Sequence, residues 1–230
     1  MAKDITINGS NADSLYIDAR RSYDAEKGSY NITGSNGNDK FITWYGDATI
    51  NSGAGDDVLF VREDTGSGNI LNSQLDGGEG NDKYVINSLR GTHTITDSEG
   101  NDELILKGMK KDKIHFAFNV KADGTFAEDS DKLLILNDET YAKWRNGEEF
   151  DTGLTINGFD SIEKIATGDY SYSSSSGREN ITYNEIADLN QLREAVAGWL
   201  ADNYYADVDE VLKSGSETDI TALIGVFNNV

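Results

Sequence analysis

Cysteine and proline are both absent from this chain of 230 residues, and it has only two methionines and two histidines. Lack of cysteine excludes disulfides and thiolate chemistry, so the fold draws no stability from an oxidising compartment. Lack of proline leaves the turns to Gly, Asn and Asp, and 24 glycines are present to make them. No window approaches the roughly eighteen apolar residues of a membrane-crossing helix. Nor does the N-terminus carry a basic segment, an apolar stretch and a small-residue cleavage site, so an exported chain is expected to hold its signal elsewhere. Positive charge is scarce as well: 20 Lys and Arg face 41 Asp and Glu, for a net charge of -21. Nucleic acid and anionic membrane surfaces are repelled by that balance. A cation is the natural partner, because aspartates crowded into turns destabilise a compact state until divalent ions bridge them.

What is present is a repeat. Four nonapeptides share one pattern: GSNGNDKFI at 34–42, SGAGDDVLF at 52–60, GGEGNDKYV at 77–85 and DSEGNDELI at 97–105. The fourth position is always Gly (Gly37, Gly55, Gly80, Gly100), the sixth always Asp (Asp39, Asp57, Asp82, Asp102), and the eighth always apolar (Phe41, Leu59, Tyr84, Leu104). Successive sixth-position aspartates lie 18, 25 and 20 residues apart, which reads as a coil of two nonapeptides with insertions in its later loops. Weaker half-turns alternate with the strong ones: GSYNIT at 28–33, GDATIN at 46–51, GNILN at 68–72 and GTHTIT at 91–96. Residues 5–17 align with 30–42, but Ala12 replaces the turn glycine and Ser14 the aspartate, so residues 1–29 read as a degenerate first rung that caps the stack.

The pattern suits calcium. Aspartate at the sixth position supplies a hard anionic oxygen, and the glycines permit backbone angles that turn carbonyl oxygens inward. One turn offers too few ligands for an ion that takes six to eight oxygens, but two turns stacked about 4.8 Å apart offer enough. The expected ligand set is Asp39, Asp57, Asp82 and Asp102, with Gly34, Asn36, Gly37, Gly53, Gly55, Gly77, Gly78, Gly80 and Gly100 shaping the turns. Strong turns recur on one side only, so a single column of about three principal Ca2+ ions is expected in the three gaps between four turns. After each aspartate the two-residue period of a strand points the eighth side chain inward, opposite Ile32, Ile50, Leu71 or Ile70, and Ile95.

GGEGNDKYV matches every defined position of the GGxGxDx-apolar-x nonapeptide, and on these residues the chain resembles the RTX, or haemolysin-type, calcium-repeat proteins over about residues 30–106. That resemblance implies a right-handed parallel β-roll, a β-solenoid that is disordered at low cytosolic calcium and folds outside the cell after type I secretion. Ser52, Asp97 and Ser98 depart from the Gly-Gly opening, which puts the carbonyl geometry of the second and fourth turns in question.

Residues 107–170 lose the nonapeptide but keep strand signals at 114–120, 132–136, 154–158 and 162–166, and resemble the flanking cap of such rolls. SYSSSSG begins a linker expected over 171–183. Beyond it, Thr182-x-x-Glu185 ahead of Ile186, Leu189, Leu192, Val196 and Leu200 reads as a capping box and a helix. Residues 184–230, acidic and amphipathic, resemble an uncleaved type I secretion signal. The fold class expected is therefore mainly β with a C-terminal β cap and a short helical tail.

No HExxH, GxSxG, P-loop or GxGxxG at a strand–helix junction occurs, and His93 and His115 lie in unrelated strand contexts, so the chain is expected not to be an enzyme by itself. Trp44, Tyr45, Trp144, Trp199, Tyr204 and Tyr205 read as packing rather than as a sugar-binding surface. The functional expectation is a secreted calcium-responsive folding and secretion module of an adhesin, a toxin or a short secreted protein. Its partners are calcium and the type I secretion machinery, with no nucleic acid and no transmembrane segment. The alternative is a surface-layer, biofilm-matrix or filament protein that self-assembles at the cell surface with calcium.

Overall fold

The computed structural model describes residues 4–19, 27–63, 70–118, 132–158, 161–173 and 178–188. Among these the fold is mainly β. Its first ten strands are β1 (Ile5–Asn8), β2 (Tyr16–Ala19), β3 (Gly28–Thr33), β4 (Lys40–Trp44), β5 (Gly46–Asn51), β6 (Val58–Arg62), β7 (Ser73–Asp76), β8 (Lys83–Ile86), β9 (Thr92–Thr96) and β10 (Glu103–Lys107). There follow β11 (His115–Phe118), β12 (Leu133–Leu136), α1 (Asp138–Arg145), which is the one α-helix among the described residues, β13 (Gly153–Asn157), β14 (Lys164–Ser173) and β15 (Arg178–Asp188).

Two mixed sheets result, with orders β1-β3-β5-β7-β9-β13-β12-β11 and β15-β14-β10-β8-β6-β4-β2. The first ten strands alternate between the sheets, so β1 to β8 each pair in parallel with the strand two further on, while β9 and β10 pair in parallel with β13 and β14; among the described residues antiparallel pairing is confined to β13-β12-β11 and β14-β15. Turns at 34–39, 52–57, 77–82 and 97–102 carry the chain from the first sheet to the second. These turns stack closely. Gly80 has φ +128°, and a Cβ there would lie 2.2 Å from the Gly55 carbonyl oxygen of the preceding turn, so only glycine fits.

Between the sheets lies the main core. Phe41, Leu59, Tyr84 and Leu104 stack in register and are continued by Ile165. Facing them run Ile32, Ile50, Leu75, Ile95 and Ile156. The third member of this row is Leu75, not the expected Leu71 or Ile70. The strand falls on SQLD at 73–76, while Leu71 is buried beside it and Ile70 is 49% exposed. SQLD has no β-branched residue to advertise a strand, and its cross-strand neighbours override that weak propensity.

After α1 the chain returns, and β13 and β14 add a further parallel rung to both sheets. A second core covers the outer face of the second sheet: Ile42, Val58, Phe60, Val85 and Ile105 pack beneath Tyr170, with Ile181 against them. Phe60 and Tyr170 meet edge to face at 5.7 Å between ring centroids, and Glu179 receives Lys40 at 2.5 Å and Lys83 at 3.6 Å. The β14-β15 hairpin is thus the lid of an apolar surface. This corrects the linker expected at 171–183. Thr182 and Glu185 stand opposite Asp169 and Thr167 in the hairpin ladder, not at the start of a helix. Alternation of Ile181 with its neighbours and the apolar face awaiting cover favour a strand there. The helix expected beyond residue 188 lies outside the described residues.

The aromatic and histidine residues pack. Arg62 stands 3.7 Å over the Trp44 ring, Tyr141 stacks between His115 and Trp144, and His93 is buried with Nδ1 2.9 Å from Ser73 Oγ, its pKa lowered to about 4 by burial. Trp199, Tyr204 and Tyr205 lie outside the described residues.

Candidate metal centre

The six-residue turns place the sixth-position aspartates in one file. Asp39, Asp57, Asp82 and Asp102 are all buried, at 0%, 1%, 1% and 2% exposure. Each carboxylate accepts from the preceding turn through Oδ1: Leu15 N–H donates to Asp39 at 2.5 Å, Asp39 N–H to Asp57 at 2.6 Å, Asp57 N–H to Asp82 at 2.7 Å, and Asp82 N–H to Asp102 at 2.7 Å. Glu163 ends the ladder by accepting from Asp102 N–H at 2.7 Å. The register of the sheets and the position of the carboxylates are thereby one feature.

Their second oxygens differ along the file. Asp39 is satisfied locally, since Ser35 N–H donates to Oδ2 at 2.6 Å and Ser35 Oγ to Oδ1 at 2.8 Å. Asp57 Oδ2 and Asp82 Oδ2 are enclosed with no hydrogen-bond donor, as is Asp97 Oδ1. A buried carboxylate oxygen without a donor is costly unless a cation meets it. Burial accordingly pushes the Asp57 carboxyl up to about 7 and that of Asp82 up to about 6, with neighbouring carboxylates adding to both. Asp97 and Asp102 are raised too, chiefly by the same desolvation.

Asp82, Asp97 and Asp102 converge: one oxygen from each lies within 4.8 Å of the others. Asp97 is half-buried as a residue while its carboxylate is enclosed, its Oδ2 accepting from the Tyr84 hydroxyl. Gly77 leaves the space, for a Cβ there would lie 2.2 Å from Asp82 Oδ2 and 2.6 Å from Asp97 Oδ2. Three converging carboxylates, two of which (Asp82 and Asp97) have an enclosed, donor-free oxygen, suit a hard divalent cation that takes oxygen ligands.

The remaining expected residues fall in the same turns. Gly53, Gly55, Gly78, Gly80 and Gly100 have positive φ, Gly34 and Gly77 are buried, Gly37 is half-buried, and Asn36 is exposed. The serines that break the Gly-Gly opening bond turn carbonyls: Ser52 Oγ donates to Gly77 O at 2.9 Å and Ser98 Oγ to Gly78 O at 3.0 Å. Sequence reasoning missed Asp97 and Glu163. GFDSIEKIA at 158–166 is a fifth copy, with Glu163 sixth and Ile165 eighth but without the fourth-position Gly. It also missed a second ladder at the fifth position, where Asp56 N–H donates to Asn38 Oδ1 at 3.0 Å, Asn81 N–H to Asp56 Oδ1 at 2.9 Å and Asn101 N–H to Asn81 Oδ1 at 3.1 Å. Asn or Asp at that position in all four copies was the available signal. Comparison with known protein families, with curated proteins and with solved structures gives no match to this chain.

Proposed function

We propose that this protein is a calcium-responsive folding module of the RTX type, a parallel β-roll that is completed when Ca2+ enters the gaps between its stacked turns. The observation that carries this reading is the buried file of aspartates with donor-free oxygens on Asp57 and Asp82. Asp82, Asp97 and Asp102 would hold one ion and Asp57 with Asp82 another, alongside backbone carbonyls of the glycine turns. Asp39, already met by Ser35, makes the first gap the weakest of the three. Each ion bound only by the folded chain at a hundred times its dissociation constant stabilises it by about 2.7 kcal/mol. A chain carrying -21 charges is then poor at folding where calcium is scarce and competent where it is plentiful. This fits a module exported unfolded by type I secretion and folded outside the cell.

Equilibrium dialysis against calcium tests the site assignment. Saturable binding that falls in Asp57→Asn and Asp82→Asn supports it, and equal binding by wild type and both variants refutes it. Self-assembly at a cell surface is the second reading, favoured by the exposed edge strand β1 with half-buried Ile5 and Ile7. Sedimentation in calcium separates the two, a monomer supporting the module alone and an open-ended series supporting assembly.

A further inference from the structure

Helix α1 covers the outer face of the first sheet at its β12-β11 end, where Leu134 and Leu136 pack against Tyr141 and Trp144; along the six parallel-paired strands that face is, among the described residues, neither lidded nor apolar, and it has a repeat of its own. Six parallel-paired strands carry the tripeptides TIN (6–8), NIT (31–33), TIN (49–51), QLD (74–76), TIT (94–96) and TIN (155–157). Their central Ile and Leu side chains point into the core. The flanking residues therefore face out in two columns. One is Thr6, Asn31, Thr49, Gln74, Thr94 and Thr155, and the other is Asn8, Thr33, Asn51, Asp76, Thr96 and Asn157, every one exposed or half-exposed.

Three properties set this face apart. The twelve positions carry a single charge, Asp76, in a chain of net charge -21, and in the next outward column Asp47 is paired with Lys27 at 2.9 Å while Asp4 accepts from Ser29 Oγ at 2.8 Å. The face holds its register, because β3, β5, β7 and β9 pair without a shift, Ile32, Ile50, Leu75 and Ile95 standing opposite one another. Its side chains are stiff: threonine is restricted at χ1, and neighbours bond across rungs, Asn51 Nδ2 to Asp76 Oδ2 at 3.1 Å and Asn157 Nδ2 to Thr96 Oγ1 at 3.0 Å. Hydroxyls and amides thus recur about every 4.8 Å across the strands and about 6.6 Å along them.

A near-neutral array offers nothing to a charged partner, and without aromatic rings it lacks the stacking platforms that sugars favour. A fixed lattice of groups that both donate and accept matches a fixed lattice of water molecules. The two spacings lie near the short and long repeats of hexagonal ice. We propose that this face binds the surface of ice crystals. The inference needs the strand pairing alone and does not rest on calcium as the ligand of the turns.

The test is partition of the full chain, in calcium buffer, between liquid and a slowly grown ice phase. Circular dichroism confirms that each variant is folded. Wild type and the remote control Glu149→Lys are expected to enter the ice. Thr49→Tyr and, on the second column, Thr33→Lys are expected to stay in the liquid, so the result does not hang on one variant's folding. Gln74→Thr, which regularises the array, is expected to widen the gap between melting and freezing points. Exclusion of folded wild type from ice overturns the proposal, as does equal entry by the folded face variants. Adsorption to crystalline chitin or cellulose with exclusion from ice also overturns it, in favour of a polysaccharide partner.

Discussion

Replacing Asp82 by asparagine is expected to move stability in opposite directions with and without calcium. Asparagine keeps the acceptor for Asp57 N–H, now 2.7 Å from Asp82 Oδ1, and removes the charge from an oxygen that has no donor. Raising this carboxyl from 3.8 to about 6 corresponds to roughly 3 kcal/mol of penalty on the ionised form at neutral pH, and the variant escapes it. In chelator the variant should therefore be more stable by about 2–3 kcal/mol. In calcium it loses a ligand to the gaps on both sides, so one or two increments of about 2.7 kcal/mol vanish and the order reverses. Urea unfolding followed by circular dichroism at pH 7.5, in chelator and in excess calcium, measures both. A shift of the same sign in the two conditions would refute the reasoning, because it would make Asp82 a structural acceptor and nothing more.

The pH dependence without metal has a definite sign. Asp57 and Asp82 hold protons more tightly folded than unfolded, so stability is greatest at low pH and drains as pH rises from about 4 to about 7. Denaturation midpoints at pH 5 and pH 8 in chelator should show the higher value at pH 5, and calcium addition near pH 6.5 should release protons measurable by calorimetry in buffers of different ionisation enthalpy. Glu163→Ala leaves Asp102 N–H without its acceptor and should cost about 1–3 kcal/mol, with Glu163→Gln restoring most of it, as read by urea midpoints. Tyr170→Ala uncovers the apolar outer face around Phe60 and should cost about 3–5 kcal/mol, with hydrogen exchange in the β14-β15 hairpin rising first.

Several of these features were legible in the residues themselves. Gly at the fourth position and apolar residues at the eighth located the turns and one wall of the core, and the sixth-position aspartates do lie in one buried file. Other features were hidden for physical reasons. The ninth position is Ile42, Phe60, Val85 and Ile105 in the four copies, yet a strand with two apolar neighbours reads the same whether it faces a core or a lid. The β15 strand was masked by Thr182 and Glu185, whose capping-box spacing is also met by a strand that crosses an apolar sheet. Glu163 escaped because its turn lacks the marking glycine, and Asp97 because it occupies a position where the repeat calls for Gly.

A calcium titration of the metal-free chain, followed by far-ultraviolet circular dichroism with magnesium as the competing ion, tests the central claim most directly. Cooperative gain of β-structure in calcium, absent in magnesium and weakened in Asp57→Asn and Asp82→Asn, is the result the calcium-module reading predicts. A chain equally folded in chelator, calcium and magnesium would contradict it and leave the aspartate file a metal-independent ladder.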